Sequence, residues 1–323
     1  MEISAATQGS QWGIDLIRLF QSAENPLLTL LARSATFLGD HAAYLLILPV
    51  IYWCIDERWG FRLGMVTFLS AGLNTGIKEA LKIPRPFHRV PGINMISETG
   101  YSMPSGHSQN SAAFWPQFFF ARRTDKKAPF ALSLALSIFL PLCIGLSRVY
   151  LGVHYPADVL AGWSIGAVYT LSVFLLLPPV ARAAASLEAT WKAQSGSSLK
   201  TFKIALVAAI AFILNATGGD DSSMGGLVFG FGAGYILLTD TDTADHRRFT
   251  ASEGSPIRKI IRLIAGMLVL AGLYYGLKAV FPGKGSQWYS MARFVRYGLS
   301  GFWASLGAPL FFLTTGLSKT AAQ

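Results

Sequence analysis

Ionisable side chains gather in three short segments of an otherwise apolar chain. The segments are residues 78–89, 104–107 and 147–158, and they supply lysine, arginine, histidine, serine and aspartate side chains. Such groups at the ends of membrane helices usually mark a functional site. Cations, hydroxyl groups and histidines with a carboxylate partner together suit the binding and transfer of a phosphoryl group.

The cations and small residues of these segments could hold a phosphate. Lys78, Arg85 and Arg148 supply positive charge, and a guanidinium can form two parallel hydrogen bonds to phosphate oxygens. Ser105 and the backbone N–H of Gly106, at a predicted helix N-terminus, add donors that would stabilise charge on the equatorial oxygens. We therefore predict that these five residues bind phosphate.

The two histidines could divide the chemistry between them. His154 precedes Asp158 by four residues, so a helix beginning at Pro156 would let the carboxylate bond one imidazole nitrogen and leave the other to attack phosphorus. His107 could protonate the leaving alkoxide and then deprotonate the water that hydrolyses the phosphohistidine. We predict His154 as the nucleophile, Asp158 as its partner and His107 as the acid and base. No metal ion or other cofactor is needed, because side chains supply the positive charge.

The spacing of these residues resembles the three-part signature of the type-2 phosphatidic acid phosphatase superfamily. The matching residues are Lys78, Arg85 and Pro86, then Pro104, Ser105, Gly106 and His107, then Ser147, Arg148, His154 and Asp158. The resemblance implies a metal-independent phosphatase or phosphotransferase with the same roles for His107, His154 and Asp158. It leaves Pro86 and Ser147 as structural residues of the motif, together with Pro104.

The signature covers residues 78–158, and the similarity in helix order extends over about 41–180. Within the superfamily, the chain resembles the branch that contains sphingosine-phosphate and glucose-phosphate phosphatases. The features that carry this resemblance are the high number of predicted helices and the sequence Glu98-Thr99-Gly100. Residues 200–323 match no pattern that assigns them a role.

The composition indicates an integral membrane protein. Of the 323 residues, 52% are hydrophobic and 14% are charged, against about 25% charged in an ordinary soluble domain. The formal net charge of +10 would suit nucleic acid, but cations in cytoplasmic loops explain it, so no nucleic-acid partner is expected. Cys54 and Cys143 lie in apolar stretches and are not expected to form a disulfide or a zinc site. The N-terminal residues lack the features of a signal peptide.

Apolar periodicity predicts an all-α protein with about nine transmembrane helices. The predicted spans are residues 41–55, 60–81, 105–121, 128–147, 156–180, 203–217, 222–239, 260–281 and 291–316. Before them, residues 11–22 predict an interfacial helix with Trp12 and Leu19 on its apolar face, and residues 26–38 predict an interfacial or partly inserted one. The predicted organisation is interfacial helices at 1–40, a phosphatase core at 41–180 and a four-helix extension at 181–323.

The charges of the connecting segments predict the orientation in the membrane. The basic loops contain Arg122, Arg123, Lys126 and Lys127, then Arg182, Lys192 and Lys200, then Arg247, Arg248, Arg258 and Lys259. These loops fall on one side, which the positive-inside rule makes cytoplasmic. The three polar segments then face the periplasm or a lumen, in a bacterial inner membrane or the endoplasmic reticulum. Gly226, Gly230 and Gly234 form a stripe that predicts close helix packing.

The function that these features favour is metal-independent dephosphorylation of a membrane lipid phosphate through a phosphohistidine. Phosphatidic acid, a sphingoid phosphate, phosphatidylglycerol phosphate and a polyprenyl diphosphate all fit as substrates, and the oligomeric state is open. A lipid phosphotransferase would use the same residues. A transporter of phosphate or anionic lipids would need the cations, but not two histidines with a carboxylate. Lys82 and Arg89 could belong to the site, or their side chains could instead extend to the lipid headgroups, and the sequence favours neither. His88 could line the entrance of the site.

Overall fold

The computed structural model describes residues 11–120, 130–195, 199–240 and 249–318. Within these ranges every regular element is a helix, which confirms the all-α class. The elements are α1 (Gln11–Gln21), α2 (Pro26–Phe37), α3 (His41–Cys54), α4 (Glu57–Leu81), α5 (Pro86–Arg89), α6 (Gly106–Phe120), α7 (Phe130–Tyr150), α8 (Pro156–Ser195), α9 (Lys200–Thr217), α10 (Ser223–Thr239), α11 (Pro256–Val280), α12 (Tyr289–Phe302), a π-helical turn (Trp303–Gly307) and α13 (Ala308–Thr314).

The predicted count of nine membrane spans is not confirmed. Among the described residues, four helices are long and apolar enough to cross a bilayer, namely α7, α8, α9 and α11. Helices α2 and α3, bent by 53° at the break between them, make a fifth if they form one span. Helices α3, α6, α10 and α12 have only 14 to 17 residues, whereas an untilted span needs about 20. Helix α4 has 25 residues but carries five charged side chains.

Helix α8 is longer than predicted, and it contains basic residues that the sequence predicts in a loop. It runs to Ser195 and contains Pro178 and Pro179, where the sequence predicts an end at residue 180. Arg182 and Lys192, predicted in a loop, therefore lie on a helix. The stretch after the prolines is rich in alanine, the residue with the highest helix propensity, which favours continuation of the helix. The predicted basic residues Arg122, Arg123, Lys126, Lys127, Arg247 and Arg248 lie outside the described residues.

The chain forms two compact units. The first contains the chain up to Leu45 and the segment Leu73–Val173, and the second contains Leu46–Gly72 and the chain from Phe174 onwards. The three-part division into residues 1–40, 41–180 and 181–323 stays a prediction.

The first unit packs α1 and the loops around α7 into one core. Its buried apolar residues are Ile14, Ile17, Ile93, Val149, Tyr155 and Val159. Helix α1 buries Ile14 and Ile17, whereas Trp12 and Leu19, on the predicted apolar face, are exposed. The two isoleucines therefore anchor α1 to the protein, and the interfacial position of α1, with Trp12 and Leu19 towards the membrane, stays a prediction.

In the second unit, α10 packs closely on α12 through its glycine stripe. A Cβ on Gly230 would lie 1.8 Å from the carbonyl oxygen of Gly298, and one on Gly226 would lie 2.4 Å from that of Phe294. A Cβ on Gly234 would lie 2.2 Å from Ser305 Oγ. The predicted packing role of the stripe is confirmed. Both cysteines are free.

Candidate active site

His154 and Asp158 lie on either side of the N-terminus of α8, in the first unit. His154 belongs to the loop between α7 and α8, and α8 begins at Pro156, whose fixed φ suits the first helical position. His154 Nδ1 lies 3.4 Å from Asp158 Oδ2, and both side chains are buried. Asp158 Oδ2 also accepts hydrogen bonds from the Ser102 hydroxyl at 2.5 Å and from the Tyr155 N–H at 2.8 Å. These bonds hold the carboxylate against the imidazole.

The guanidinium of Arg85 determines the tautomer of His154. Arg85 Nη1 lies 3.0 Å from His154 Nε2. A guanidinium can only donate hydrogen bonds, so Nε2 must accept, and the ring proton is assigned to Nδ1. That proton faces Asp158. The lone pair of Nε2 is therefore directed towards a cation, which is the arrangement needed for attack on a phosphate held by that cation.

The other donors of Arg85 hold the backbone of two loops. Nε donates to the carbonyl of Gly100 at 3.0 Å, Nη2 to that of Thr99 at 2.8 Å, and Nη1 to that of Val153 at 3.0 Å. These acceptors keep the side chain buried and rigid. Arg85 thus brings charge to the site, and its contact with His154 is the one that a phosphate oxygen would share.

Arg148, near the end of α7, is a second buried guanidinium. It donates from Nη1 to Thr36 Oγ1 at 2.6 Å and from Nη2 to Glu98 Oε1. Glu98 Oε2 also lies 3.6 Å from Arg85 Nη2, so one carboxylate joins the two arginines. The Nε–H of Arg148 is buried and has no hydrogen-bond partner in the described part of the chain. An unsatisfied buried donor costs about 1–3 kcal/mol, and a phosphate oxygen would satisfy it.

Helix α4 contributes Lys78 and, one turn earlier, Asn74. The ammonium of Lys78 donates to two backbone carbonyls of residues 101–102, at 2.5 and 3.4 Å. An ammonium has three N–H groups, so these bonds leave one for a ligand. Asn74 Nδ2 donates to the carbonyl of Pro104 at 3.3 Å and to Gln109 Oε1 at 2.9 Å. Asn74 thereby ties α4 to the start of α6.

The N-terminus of α6 is held by Ser105. Its hydroxyl oxygen accepts hydrogen bonds from the N–H of Ser108 at 3.4 Å and from the Ser108 hydroxyl at 3.0 Å, as a helix cap does. Its backbone N–H donates to the carbonyl of Asp158 at 2.9 Å. A Cβ on Gly106 would lie 3.0 Å from Asn74 Oδ1, so the close approach favours glycine. The phosphate-binding roles of Ser105 and Gly106 stay predictions.

His107, in the first turn of α6, faces the turn between α2 and α3. Its Nε2 lies 3.7 Å from Asp40 Oδ2. A Cβ on Gly39 would lie 3.3 Å from His107 Cδ2, so the turn lies directly against the imidazole. Arg148 and Glu98 interact electrostatically with the same ring.

A backbone clamp holds the loop that carries His154. Gly152 has φ of +71°, and a Cβ there would lie 2.1 Å from the carbonyl oxygen of Ile93. Gln21, from α1, donates to that carbonyl at 2.8 Å and to the carbonyl of Tyr150 at 3.0 Å. Only glycine combines this φ with this close approach.

The protonation states of the loop groups follow from burial and charge. Burial lowers the pKa of His154 well below its ordinary value, and the cations Arg85 and Lys78 lower it further, so the imidazole is neutral and nucleophilic. Burial raises the pKa of Glu98, but Arg148 and Arg85 lower it more, so its pKa lies below the ordinary value. Glu98 is therefore ionised.

Three ionisable residues of the first segment lie apart from these groups. Lys82, His88 and Arg89 are exposed, and Arg89 donates to Gln11 Oε1 at 3.4 Å. Ser147 bonds the carbonyl of Ile144 in its own helix at 2.6 Å. Pro86, the other structural motif residue, is buried at the start of α5.

Five residues contact the predicted site without having been predicted to belong to it. They are Thr36, Asp40, Asn74, Glu98 and Ser102. Glu98 and Ser102 lie in the segment before the second motif, where proximity in sequence is the available signal. Thr36 and Asp40 precede the first motif by about 40 residues, and no spacing in the sequence connects them to it.

The fold and the site together define a class of protein: a helical chain with apolar spans and a buried histidine–aspartate pair among cations. Two family models match the chain. The model described as the PAP2 superfamily matches residues 59–182, and the model described as the PAP2 superfamily phosphatase, transmembrane extension, matches residues 222–320. The chain therefore belongs to the PAP2 superfamily, as the signature predicts, and it is an integral membrane protein. The second match relates the C-terminal helices to the same superfamily.

Curated relatives of the chain are named as phosphatases. A probable sphingosine-1-phosphate phosphatase of Dictyostelium discoideum is 30% identical over 158 residues, which are 46% of this chain and 38% of the relative. Sphingosine-1-phosphate phosphatase 1 of Mus musculus is 24% identical over 313 residues, which are 88% and 71% of the two chains. Phosphatidylglycerophosphatase B of Bacillus subtilis is 29% identical over 152 residues, 44% and 71% of the two chains. The chain thus spans only part of the length of these relatives.

Proposed function

We propose that the protein removes phosphate from a membrane lipid phosphate through a phosphohistidine on His154, without a metal ion. The observation that carries the proposal is the line of contacts from Arg85 through His154 to Asp158. It places a neutral nitrogen lone pair beside a fixed cation and an imidazole N–H beside a carboxylate. Side chains of Lys78 and Arg148 supply further positive charge.

The first step transfers the phosphoryl group to the enzyme. His154 Nε2 bonds to phosphorus while the bond from phosphorus to the lipid oxygen breaks, and His107 gives its proton to the departing alkoxide. Asp158 stabilises the positive charge that develops on the imidazole of His154. Arg148 and Lys78 offset the charge on the phosphoryl oxygens.

The second step restores the enzyme. A water molecule gives a proton to His107 as its oxygen bonds to phosphorus, and the bond from phosphorus to His154 Nε2 breaks. Inorganic phosphate leaves. A lipid alcohol in place of this water would make the protein a phosphotransferase.

The names of the relatives support a lipid phosphate as the substrate. The distribution of basic residues supports a site on the non-cytoplasmic side of the membrane. Sphingoid and phosphatidylglycerol phosphates, which occur in those names, are lipid monophosphates, so we propose a lipid phosphate monoester. The relative with the longest match reported above is named for a sphingoid phosphate, which is the first substrate to test. From the basic segments we propose a site facing the periplasm or a lumen, in a bacterial inner membrane or the endoplasmic reticulum.

The test is phosphate release by purified protein in detergent with EDTA present. The substrates are sphingosine 1-phosphate, phosphatidic acid, phosphatidylglycerol phosphate and a polyprenyl diphosphate. We expect wild-type protein and His88→Ala, which changes an exposed histidine outside the site, to release phosphate, and His154→Ala to release none. Full activity of His154→Ala, or activity that EDTA abolishes and Mg²⁺ restores, would overturn the mechanism. Transfer of labelled phosphate to added lipid alcohol would assign the phosphotransferase activity.

A further inference from the structure

The last turn of α2 and the α2–α3 turn that follows it touch the proposed acid–base histidine and one of the two buried arginines of the site. Thr36 Oγ1 accepts a hydrogen bond from Arg148 at 2.6 Å, and Asp40 Oδ2 lies 3.7 Å from His107 Nε2. Between them, Gly39 brings the backbone against the imidazole, since a Cβ there would lie 3.3 Å from His107 Cδ2. Three residues within five positions thus contact groups that the proposed function uses.

This turn lies outside the part of the chain that defines the superfamily domain. The superfamily match begins at residue 59, and the signature begins at Lys78. The end of α2 and the turn after it, residues 36–40, therefore add contacts that neither the signature nor the family match assigns.

We propose that Asp40 is a positioning residue for His107, which makes the α2–α3 turn part of the active site. The proposal rests on the proposed function, because it concerns the proton transfer assigned to His107. The carboxylate at Nε2 orients the ring and leaves Nδ1 as the nitrogen that delivers the proton to the leaving alkoxide. Hydrogen bonds of catalytic groups commonly shorten when substrate binds, which suits the 3.7 Å separation.

Charge around His107 explains why a carboxylate is needed there. Burial, and after it the positive charge of Arg148, lowers the pKa of His107 below its ordinary value. Glu98 also faces the ring, but its carboxylate is already bound to Arg148 and lies near Arg85. Asp40 supplies the remaining negative charge. The contact with His107 holds the pKa of Asp40 well below its ordinary value, so Asp40 stays ionised and His107 alone gains and loses the proton.

Asp40 has two oxygens with two different contacts. Oδ1 accepts a hydrogen bond from the N–H of Ala42 at 2.8 Å, at the start of α3, while Oδ2 faces His107. A purely structural role would use Oδ1 alone. Asparagine and serine both cap helices well, so Asp40→Asn and Asp40→Ser keep this capping function and remove the charge at His107.

The test compares two leaving groups. An alkoxide needs a proton as it leaves, whereas nitrophenolate leaves without one, so only the lipid substrate depends on His107 in the first step. For Asp40→Asn we expect kcat/KM for sphingosine 1-phosphate to fall about tenfold to a hundredfold, which is part of the roughly hundredfold to ten-thousandfold that general acid catalysis contributes in full. For p-nitrophenyl phosphate we expect a fall of less than about threefold by the same reasoning. The ratio kcat/KM reports steps up to release of the first product, so hydrolysis of the phosphohistidine does not affect it.

Controls separate the failure of this inference from the failure of the proposed function. Asp15→Asn, an exposed aspartate of α1 that accepts a hydrogen bond from Gln11, should leave both rates unchanged. Equal losses on both substrates in Asp40→Asn and Asp40→Ser, or no loss on either, would overturn the role of Asp40 while the proposed function stands. A wild-type protein that forms no phosphohistidine would overturn both.

Discussion

Asp158→Asn tests the proposed nucleophile, His154, and its proposed partner most directly. The substitution keeps the shape of the side chain and removes its charge. His154 Nδ1 and Asp158 Oδ2 are 3.4 Å apart, and the two residues are 1% and 2% exposed, so solvent screens the pair weakly. Coulomb's law with an effective dielectric constant of about 20 gives an attraction of about 5 kcal/mol once the imidazole is positively charged.

That attraction acts mainly in the transition state. The imidazole of His154 is neutral before reaction and gains positive charge as Nε2 bonds to phosphorus, so the lost energy raises the barrier. At about 1.36 kcal/mol for each tenfold change, the rate of phosphohistidine formation should fall by three to four orders of magnitude. Substrate affinity should change far less.

The assay is rapid quenching of purified protein with labelled lipid phosphate, followed by measurement of acid-labile, base-stable phosphoprotein. Thermal unfolding in detergent checks that the variant folds. Ser102→Ala is the matched control, because it removes a hydrogen bond to the same Oδ2 at 2.5 Å and leaves the charge in place. Its rate should fall about tenfold, as expected for a loss of about 1.5 kcal/mol. A folded Asp158→Asn protein that retains a tenth of the wild-type rate would refute the electrostatic role of Asp158.

Two further predictions follow from charge and from packing. Because burial and then Arg85 hold the pKa of His154 well below 6.5, phosphohistidine formation in single turnovers should not lose rate through protonation of His154 until pH falls well below 6.5. Arg85→Gln should move the acidic limb of that profile to higher pH, and an unmoved limb would contradict the assignment. Gly230→Ala should lower the unfolding temperature in detergent, with a cost of about 1–3 kcal/mol or more, because the new Cβ would lie 1.8 Å from the carbonyl oxygen of Gly298. Gly272→Ala on α11 has open space, so it should leave stability unchanged or raise it by up to about 1 kcal/mol.

Local patterns in the sequence predict the parts of the site that local structure builds. Pro156 starts α8, so a four-residue spacing is enough to bring His154 against Asp158. The same reasoning places Ser105 at the start of α6. The spacing alone does not show that the hydroxyl oxygen of Ser105 accepts hydrogen bonds from Ser108, and the phosphate-binding role of Ser105 stays a prediction.

Contacts between distant segments are beyond such patterns. Thr36 and Asp40 reach the site through the packing of α2 on α7, which depends on the whole unit and not on any spacing. The helices themselves are predicted well, since the apolar segments form helices close to the expected residues. The number of membrane spans is predicted poorly, because an apolar segment of 14 to 17 residues fits a short buried helix as well as a membrane span.

The carboxylate of Glu98 determines which hydrogen-bond donors of the two site arginines are occupied. A negative charge near a phosphate weakens binding, but two buried guanidiniums without a partner would repel each other and lose their hydration. Glu98 engages the outer donors of Arg148 and Arg85, while Thr36 engages another donor of Arg148. Among the described residues, the buried Nε–H of Arg148 then lacks an acceptor. Under the proposed function, phosphate recognition would depend on which donors the surrounding residues occupy, and not only on how many cations the motifs contain.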